Sequence, residues 1–517
     1  MAVPQAILTA LALVALSACG GGGQSTASGD WLTYNKDLNG DRFSNLSAIS
    51  TKNVAQLQKV CHVQLESGGT FQSGPLIVDG TMYLTTFHGT YALNPETCAT
   101  KWHDTYTPRG PEAFNTNRGV AYMNGMLFRG FQDGHLKALD AATGKTLWDV
   151  PVGDAKKSEF LSSAPLAWDG MVITGIAGAD WGSRGRVMAF DAKTGKQLWR
   201  FDLIPQGSEP GADTWGKAET ASTGGGSTWT TYTLDPTSGA LYVPVGNPAP
   251  DFSNQYRPGD NLYTDSIVVL DAHTGKLRWY HQFVANDSHD YDIGAAPALI
   301  TTSAGKHLVL VGAKNAMLYA LDPSTHQIVW QTPVSERQNV TKPPTLAGIH
   351  VCPGWIGGVE WNGPAYDPQT NDVYVNSVHA CATYKVGEVR YTQGSFFLGG
   401  AIVMDPLKSW YGWTTALDAD TGKIAWRYKA PTPMIAAVTP TAGGLVFTGD
   451  MNGTVLAFDA RSGAQLFSAH VPGAMAGGVV TYTQGGKQYV MVESGNTSRT
   501  LWSTTGSPNV TIFALRT

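Results

Sequence analysis

Apolar and polar positions alternate in short runs along this chain of 517 residues, and one phrase keeps returning. It stands at YALNPETCATKW (91–102), KALDAATGKTLW (137–148), MAFDAKTGKQLW (188–199), VVLDAHTGKLRW (268–279), YALDPSTHQIVW (319–330), TALDADTGKIAW (415–426) and LAFDARSGAQLF (456–467). Each copy is an apolar run, then Asp-x-x-Thr-Gly or a variant of it, then a short run closing on Trp or Phe. Alternation with a period of two predicts half-buried strands. Asp and Thr side chains can hold the turn backbone, and Gly accepts positive φ. Each phrase therefore predicts a hairpin whose closing Trp packs between sheets. Such a hairpin cannot bury its own face, and radial stacking of several gives a β-propeller. Seven phrases are whole. An eighth is split: TIFALRT (511–517) supplies its first half and LQKVCHVQL (57–65) its second. The prediction is an all-β, eight-bladed β-propeller closed by its N- and C-terminal strands, with long insertions in 200–267 and 331–414.

Composition agrees with that picture. Gly 60 and Pro 28 mark many turns, while 42% hydrophobic residues supply cores that a disordered chain lacks. A net charge of -5 offers no basic field for nucleic acid. Residues 4–18 are an apolar stretch of signal-peptide type, and Leu16-Ser17-Ala18-Cys19-Gly20 resembles a bacterial lipobox. The expected organisation is a signal peptide over 1–18, a lipidated Cys19 with a flexible tether over 19–29, and the propeller over 30–517. The Gly after Cys19 resembles lipoproteins sorted to the outer membrane, so the expected location is the periplasmic side, lipid-anchored there. Cys61, Cys98, Cys352 and Cys381 suit two disulfides in an exported chain; the sequence leaves the pairing open, with Cys61–Cys98 and Cys352–Cys381 favoured. No C-x-x-C-H haem attachment motif occurs.

The Asp-x-x-Thr-Gly-x-x-x-Trp phrase resembles the tryptophan-docking motif of quinoprotein dehydrogenases that use pyrroloquinoline quinone (PQQ). DWLTYNKDLNGDRFSNLSAISTKNVAQL (30–57), GPLIVDGTMYLTT (74–86), NRGVAYMNG (117–125), GSRGRVMAFDAKTGKQLW (182–199), GNPAPDF (246–252) and RPGDNLYTDSIVVLDAHTGKLRW (257–279) resemble successive blocks of that family, in order. The resemblance implies PQQ with Ca²⁺ or a lanthanide, an alcohol or sugar substrate, and an external electron acceptor, a quinone or cytochrome c.

It also implies site residues. NDSHDYDIGAAPAL (286–299) is similar to the active-site strand, which makes Asp290 the general base and a metal ligand and places Asp292 on the same face. Asp180, where the family usually has Glu, and Asn247 in GNP complete the oxygen donors, which suit Ca²⁺ or a lanthanide. Trp229 matches the indole under the quinone ring. Arg118, Ser162, Ser227 and Gln72 match rim positions, and Gly178 with Ala179 allows close approach. Lys314 matches the basic residue beside the reactive carbonyl. His289 stands for a usual Trp, Gln72 for a Glu, Glu112-Ala113 for a Cys-Cys pair, and 431–438 lacks an expected Trp, so the substrate side is atypical. In the implied mechanism the metal polarises the quinone carbonyl, Lys314 hydrogen-bonds the same oxygen, Asp290 takes the hydroxyl proton, and hydride passes to the quinone. The repeat alone also fits a non-catalytic outer-membrane assembly lipoprotein, and the departures fit a quinoprotein that binds without turnover.

Overall fold

The computed structural model describes residues 29–66, 68–499 and 501–516, and in it each of the seven phrases is an antiparallel hairpin. The turn works as its residue types dictate. In KALDAATGKTLW, Asp140 Oδ1 accepts from the amide and hydroxyl of Thr143 at 2.8 and 2.6 Å. The glycine that follows has two reasons to be glycine. Gly195 has φ +71°, and a Cβ there would lie 2.9 Å from Trp148 of the preceding phrase. Trp148 also donates Nε1–H to the carbonyl of Ala192, and Trp102, Trp199, Trp330 and Trp426 do the same to Ala141, Ala272, Ala419 and Ala460. The tryptophan of one phrase thus docks on the turn of the next.

Eight four-stranded sheets result. We number these blades 1 to 8: residues 76–105, 121–151, 166–202, 233–282, 298–333, 365–430, 439–470, and 479–515 joined by Leu57–Gln64. The split eighth phrase pairs as expected, with Leu57 opposite Leu515 and Gln64 opposite Asn509. Cores lie between successive blades; Ile173, Val187, Trp199, Leu234, Leu241 and Val268 fill the space between blades 3 and 4. Both favoured disulfides, Cys61–Cys98 and Cys352–Cys381, are formed. The second is embedded in the 331–414 insertion, whose strands Ile349–Val351, Ala382–Val386 and Gly400–Met404 make a separate three-stranded sheet.

Antiparallel order fixes which loops share a face. The Asp-x-x-Thr-Gly turns join third to fourth strands at one end. Connections into each first strand, and those between second and third strands, gather at the other. Beneath that second set, residues 31–44 run along the inner strands. Leu38, Asn39 and Asp41 accept through their carbonyls from Leu234, Leu299 and Tyr366 of blades 4, 5 and 6, and Ser44 donates to Pro440 of blade 7. Trp31 bridges Ile77 of blade 1 and donates to Thr481 of blade 8.

One expectation is corrected. Residues 286–297 are not a strand, which begins only at Ala298. Asp290 has φ +64°, a left-handed conformation incompatible with an extended run. The signal peptide and Cys19 lie outside the described residues. Among the described residues no helix is long and apolar enough to cross a membrane.

Candidate active site

The loops on the turn-free face enclose a cavity built from separate blades. Arg118 comes from the connection into blade 2, Ser162 from that into blade 3, and Ser227 and Trp229 from that into blade 4. Asp290 and Asp292 precede blade 5. Gly178, Ala179 and Asp180 lie between the second and third strands of blade 3, Asn247 in the same place in blade 4, and Lys314 in blade 5. These positions lie in loops, or for Ala179 and Asp180 in a short 3₁₀ turn, carried on the ends of the strands, which lets side chains from different blades converge.

At the centre Lys314 Nζ donates to Asp290 Oδ2 at 2.6 Å and to Asp292 Oδ2 at 2.9 Å. The ammonium brings together two carboxylates that the expected strand would have aligned, so their convergence survives the loss of the strand. Asp292 Oδ1 accepts from the Asn247 backbone N–H at 2.8 Å, while the Asn247 side chain donates to the Pro248 carbonyl at 3.5 Å and favours the ionised form of Asp180. Two carboxylates therefore hold one ammonium, with Asp180 and Glu360 on the walls of the same cavity. Burial, helped by Asp292, pushes the Asp180 carboxyl up to about 6. Burial likewise raises Asp290, with Lys314 opposing. Burial disfavours charge on Lys314, yet Asp290 and Asp292 hold its ammonium well above the ordinary lysine value.

Trp229 is held by its own backbone: its carbonyl accepts from Arg118 Nη1 at 2.9 Å and Ser162 Oγ at 3.1 Å. The Arg118 guanidinium lies 4.6 Å from the Trp229 ring centroid and 5.1 Å from that of Trp361, while its Nε is buried with no hydrogen-bond partner. Gly178 has φ +99°, and a Cβ would lie 2.3 Å from the Ser158 carbonyl oxygen. Gln72 is the exception. It is buried at the approach to blade 1, whose backbone at Phe71 is tied to Asn496, and it is not among the side chains that wall the cavity. The cavity draws its walls from blades 2 to 6 and the last loop of blade 8, which leaves Gln72 outside.

Other walls were not anticipated. Trp355, Ile356, Glu360, Trp361 and Phe396 come from the 331–414 insertion, and Leu501 and Trp502 from the loop before the last strand. The insertion itself was visible as an interval too long for one blade, but nothing in it repeats. Trp355 and Trp502 pack in one cluster with Ile435, so aromatic cover reaches the neighbourhood of 431–438 from other segments.

Comparisons with known proteins agree with this geometry. Residues 31–342 match the family described as glucose/ethanol/alcohol dehydrogenase, beta-propeller domain, and residues 411–516 match that of the outer membrane protein assembly factor BamB. The lanthanide-dependent methanol dehydrogenase of Methylacidiphilum fumariolicum (strain SolV) is 32% identical, over 90% of this chain and 85% of its own. The chain belongs to the PQQ-dependent alcohol dehydrogenase family. Among solved structures, quinohemoprotein alcohol dehydrogenase ADHIIG of Pseudomonas putida HK5 superposes with a TM-score of 0.87 at 28% identity, covering 94% of this chain and 80% of that one. A europium-containing methanol dehydrogenase superposes with a TM-score of 0.86 at 29% identity, covering 95% and 98%. The segment matched to BamB spans the third strand of blade 6 through blade 8, outside every loop that carries the carboxylates.

Proposed function

We propose that this PQQ-dependent dehydrogenase oxidises an alcohol or a sugar hydroxyl, with Ca²⁺ or a lanthanide beside the quinone. One observation carries the reading: Asp180, Asp290 and Asp292 converge with Asn247 and Lys314 at a cavity walled by Trp229. Two carboxylates on one ammonium, with Asp180 on the wall of the same cavity, leave an excess of hard, anionic oxygen donors, the chemistry that suits a hard cation. Asp180, Asn247, Asp290 and Asp292 would hold it. The unpartnered Arg118 Nε, the Trp229 ring, Ser162, Ser227 and the close-packed Gly178-Ala179 turn would hold a flat, polyanionic ring.

PQQ, when bound, would supply the acceptor for the hydride of the carbinol carbon, and a metal ion held by Asp180, Asn247, Asp290 and Asp292 would supply Lewis-acid assistance beside it. Asp290 accepts the substrate hydroxyl proton. Lys314 fixes the Asp290 carboxylate through its 2.6 Å bond and favours its ionised form. Two of the three ammonium hydrogens serve Asp290 and Asp292; the third is free for negative charge developing on the acceptor oxygen. Phe114, Phe160, Trp181, Trp355 and Trp502 give the cavity an apolar wall. An external quinone or cytochrome c takes the electrons onward. A lipid on Cys19 would hold the protein at the periplasmic face of the outer membrane; incorporation of a labelled fatty acid that Cys19→Ser abolishes supports the anchor, and a chain that takes up no label argues against it.

The test is reconstitution. Purified apo-protein is given PQQ with Ca²⁺, or with a light lanthanide, and alcohols and sugars are screened by dye reduction. Dye reduction supports the reading, PQQ binding without it points to a non-catalytic quinoprotein, and absence of binding points to a bare propeller. Asp290→Asn should lower kcat by about 10²–10⁴ while PQQ still quenches tryptophan fluorescence; retained turnover would remove Asp290 from its role.

A further inference from the structure

Glu360 walls the same cavity and has no role in the steps above. It precedes Trp361 on the connection into blade 6, is only 7% exposed, and its Oε1 is buried without a hydrogen-bond partner. The charged groups that bear on it are Lys314 and Asp292 of blade 5 and Arg118 of blade 2, with Asp290 and Asp180 on the walls around. Neither cation is paired with it. Lys314 is engaged by Asp290 and Asp292, and Arg118 by the Trp229 carbonyl and the faces of Trp229 and Trp361. Among the described residues no ion pair within 4.0 Å includes Glu360. A buried carboxylate with neither a cation nor a donor is costly, and protonation removes that cost. A tricarboxylate in the cavity raises the cost of a Glu360 anion further.

We propose that Glu360 meets PQQ as a neutral carboxylic acid, donating its hydroxyl hydrogen to the quinone, so that loading the cofactor above neutral pH takes up one proton. The inference rests on the cofactor reading of this cavity. In the cofactor-free protein burial pushes the Glu360 carboxyl up to about 7, against the pull of Lys314. The competent neutral fraction therefore shrinks as pH rises through neutrality, which weakens PQQ binding about 100-fold between pH 6 and pH 9.

The experiment titrates PQQ into the metal-free apo-protein, and again with Ca²⁺ present, with tryptophan quenching for affinity and calorimetry in two buffers of different ionisation enthalpy for proton uptake. Wild type should take up close to one proton per PQQ at pH 8.5 and almost none at pH 6. Glu360→Gln keeps a donor without a titrating proton; it should take up one proton fewer at pH 8.5 and lose the 100-fold dependence. Uptake by the variant equal to that of wild type overturns the proposal. So does the wild type alone, should it bind at pH 8.5 without taking up a proton, a result independent of how the variant folds. Failure of PQQ to quench wild type at any pH overturns the cofactor reading as well, which separates the two failures.

Discussion

Asp180 shows how one residue links the cation to pH. Its carboxyl sits at about 6 because burial and Asp292 disfavour its charge. The unfolded chain gives up that proton near the ordinary value of 3.8. The cation-free fold therefore binds the extra proton between those values, and its stability falls as pH rises from 3.8 to about 6. A bound cation removes the penalty above that range and must displace the proton below it. Apparent Ca²⁺ or lanthanide affinity should thus drop roughly tenfold per pH unit below 6, with proton release, and the rise in Tm on adding the ion should be larger at pH 7.5 than at pH 5. Equal rises would mean that Asp180 does not face the ion. At this scale the motif blocks made Asp180, Asn247, Asp290, Asp292, Lys314, Arg118 and Trp229 legible, because each stands in a local run of distinctive residues. Glu360, Trp355 and Trp502 stand in segments that repeat nothing, so their approach to the cavity exists only in three dimensions. Gln72 matched a block too, yet it is not among the side chains that wall the cavity.

The hairpin phrase is the element at which prediction works best, and the reason is physical: turn, strand and docking residue all lie within a dozen positions. The same locality makes its energetics testable. Gly195→Ala forces a Cβ into the left-handed region and to 2.9 Å from Trp148, so a loss of more than about 1 kcal/mol is expected. Trp199→Ala removes a side chain only 8% exposed, together with its bond to Ala272, for about 3–5 kcal/mol. Denaturant unfolding of each variant checks both. Blade 5 is the internal control: His326 occupies the glycine position at φ +61°, and its ring stacks on Trp279 at 4.4 Å. His326→Gly exchanges backbone strain for a lost stack and should change stability less than either substitution. Where an element was misjudged, at 286–297, the polar run NDSHDYD carried no apolar alternation to justify a strand. Lys314, far along the chain, supplies the alignment instead.

At the scale of the whole molecule, the ring must close, and two devices do it. The strand Leu57–Gln64 completes blade 8 beside Asn509–Leu515, and Cys61 in that strand is bonded to Cys98 in the turn of blade 1. The strand was legible because it carries half of a repeated phrase. The path of residues 31–44 along the inner strands was not, because it is held through backbone carbonyls and amides that leave no pattern in side chains. The disulfide spans 37 positions, for which the loss of unfolded-chain freedom amounts to about 4 kcal/mol at most. Cys61→Ala with Cys98→Ala should therefore lower stability by about 2–4 kcal/mol. The loss should concentrate in blades 8 and 1: their amides should exchange with solvent faster than those of blades 3 and 4, which lie away from the closure. Uniform acceleration around the ring would mean that the propeller opens as one unit and that the bond between its first and last blades is no special seam. Since Asp180, Asp290, Asp292 and Lys314 come from blades 3 and 5 while Leu501 and Trp502 of blade 8 wall the same cavity, the double variant should keep its cation affinity, and lose PQQ affinity, at temperatures where blades 8 and 1 already exchange freely.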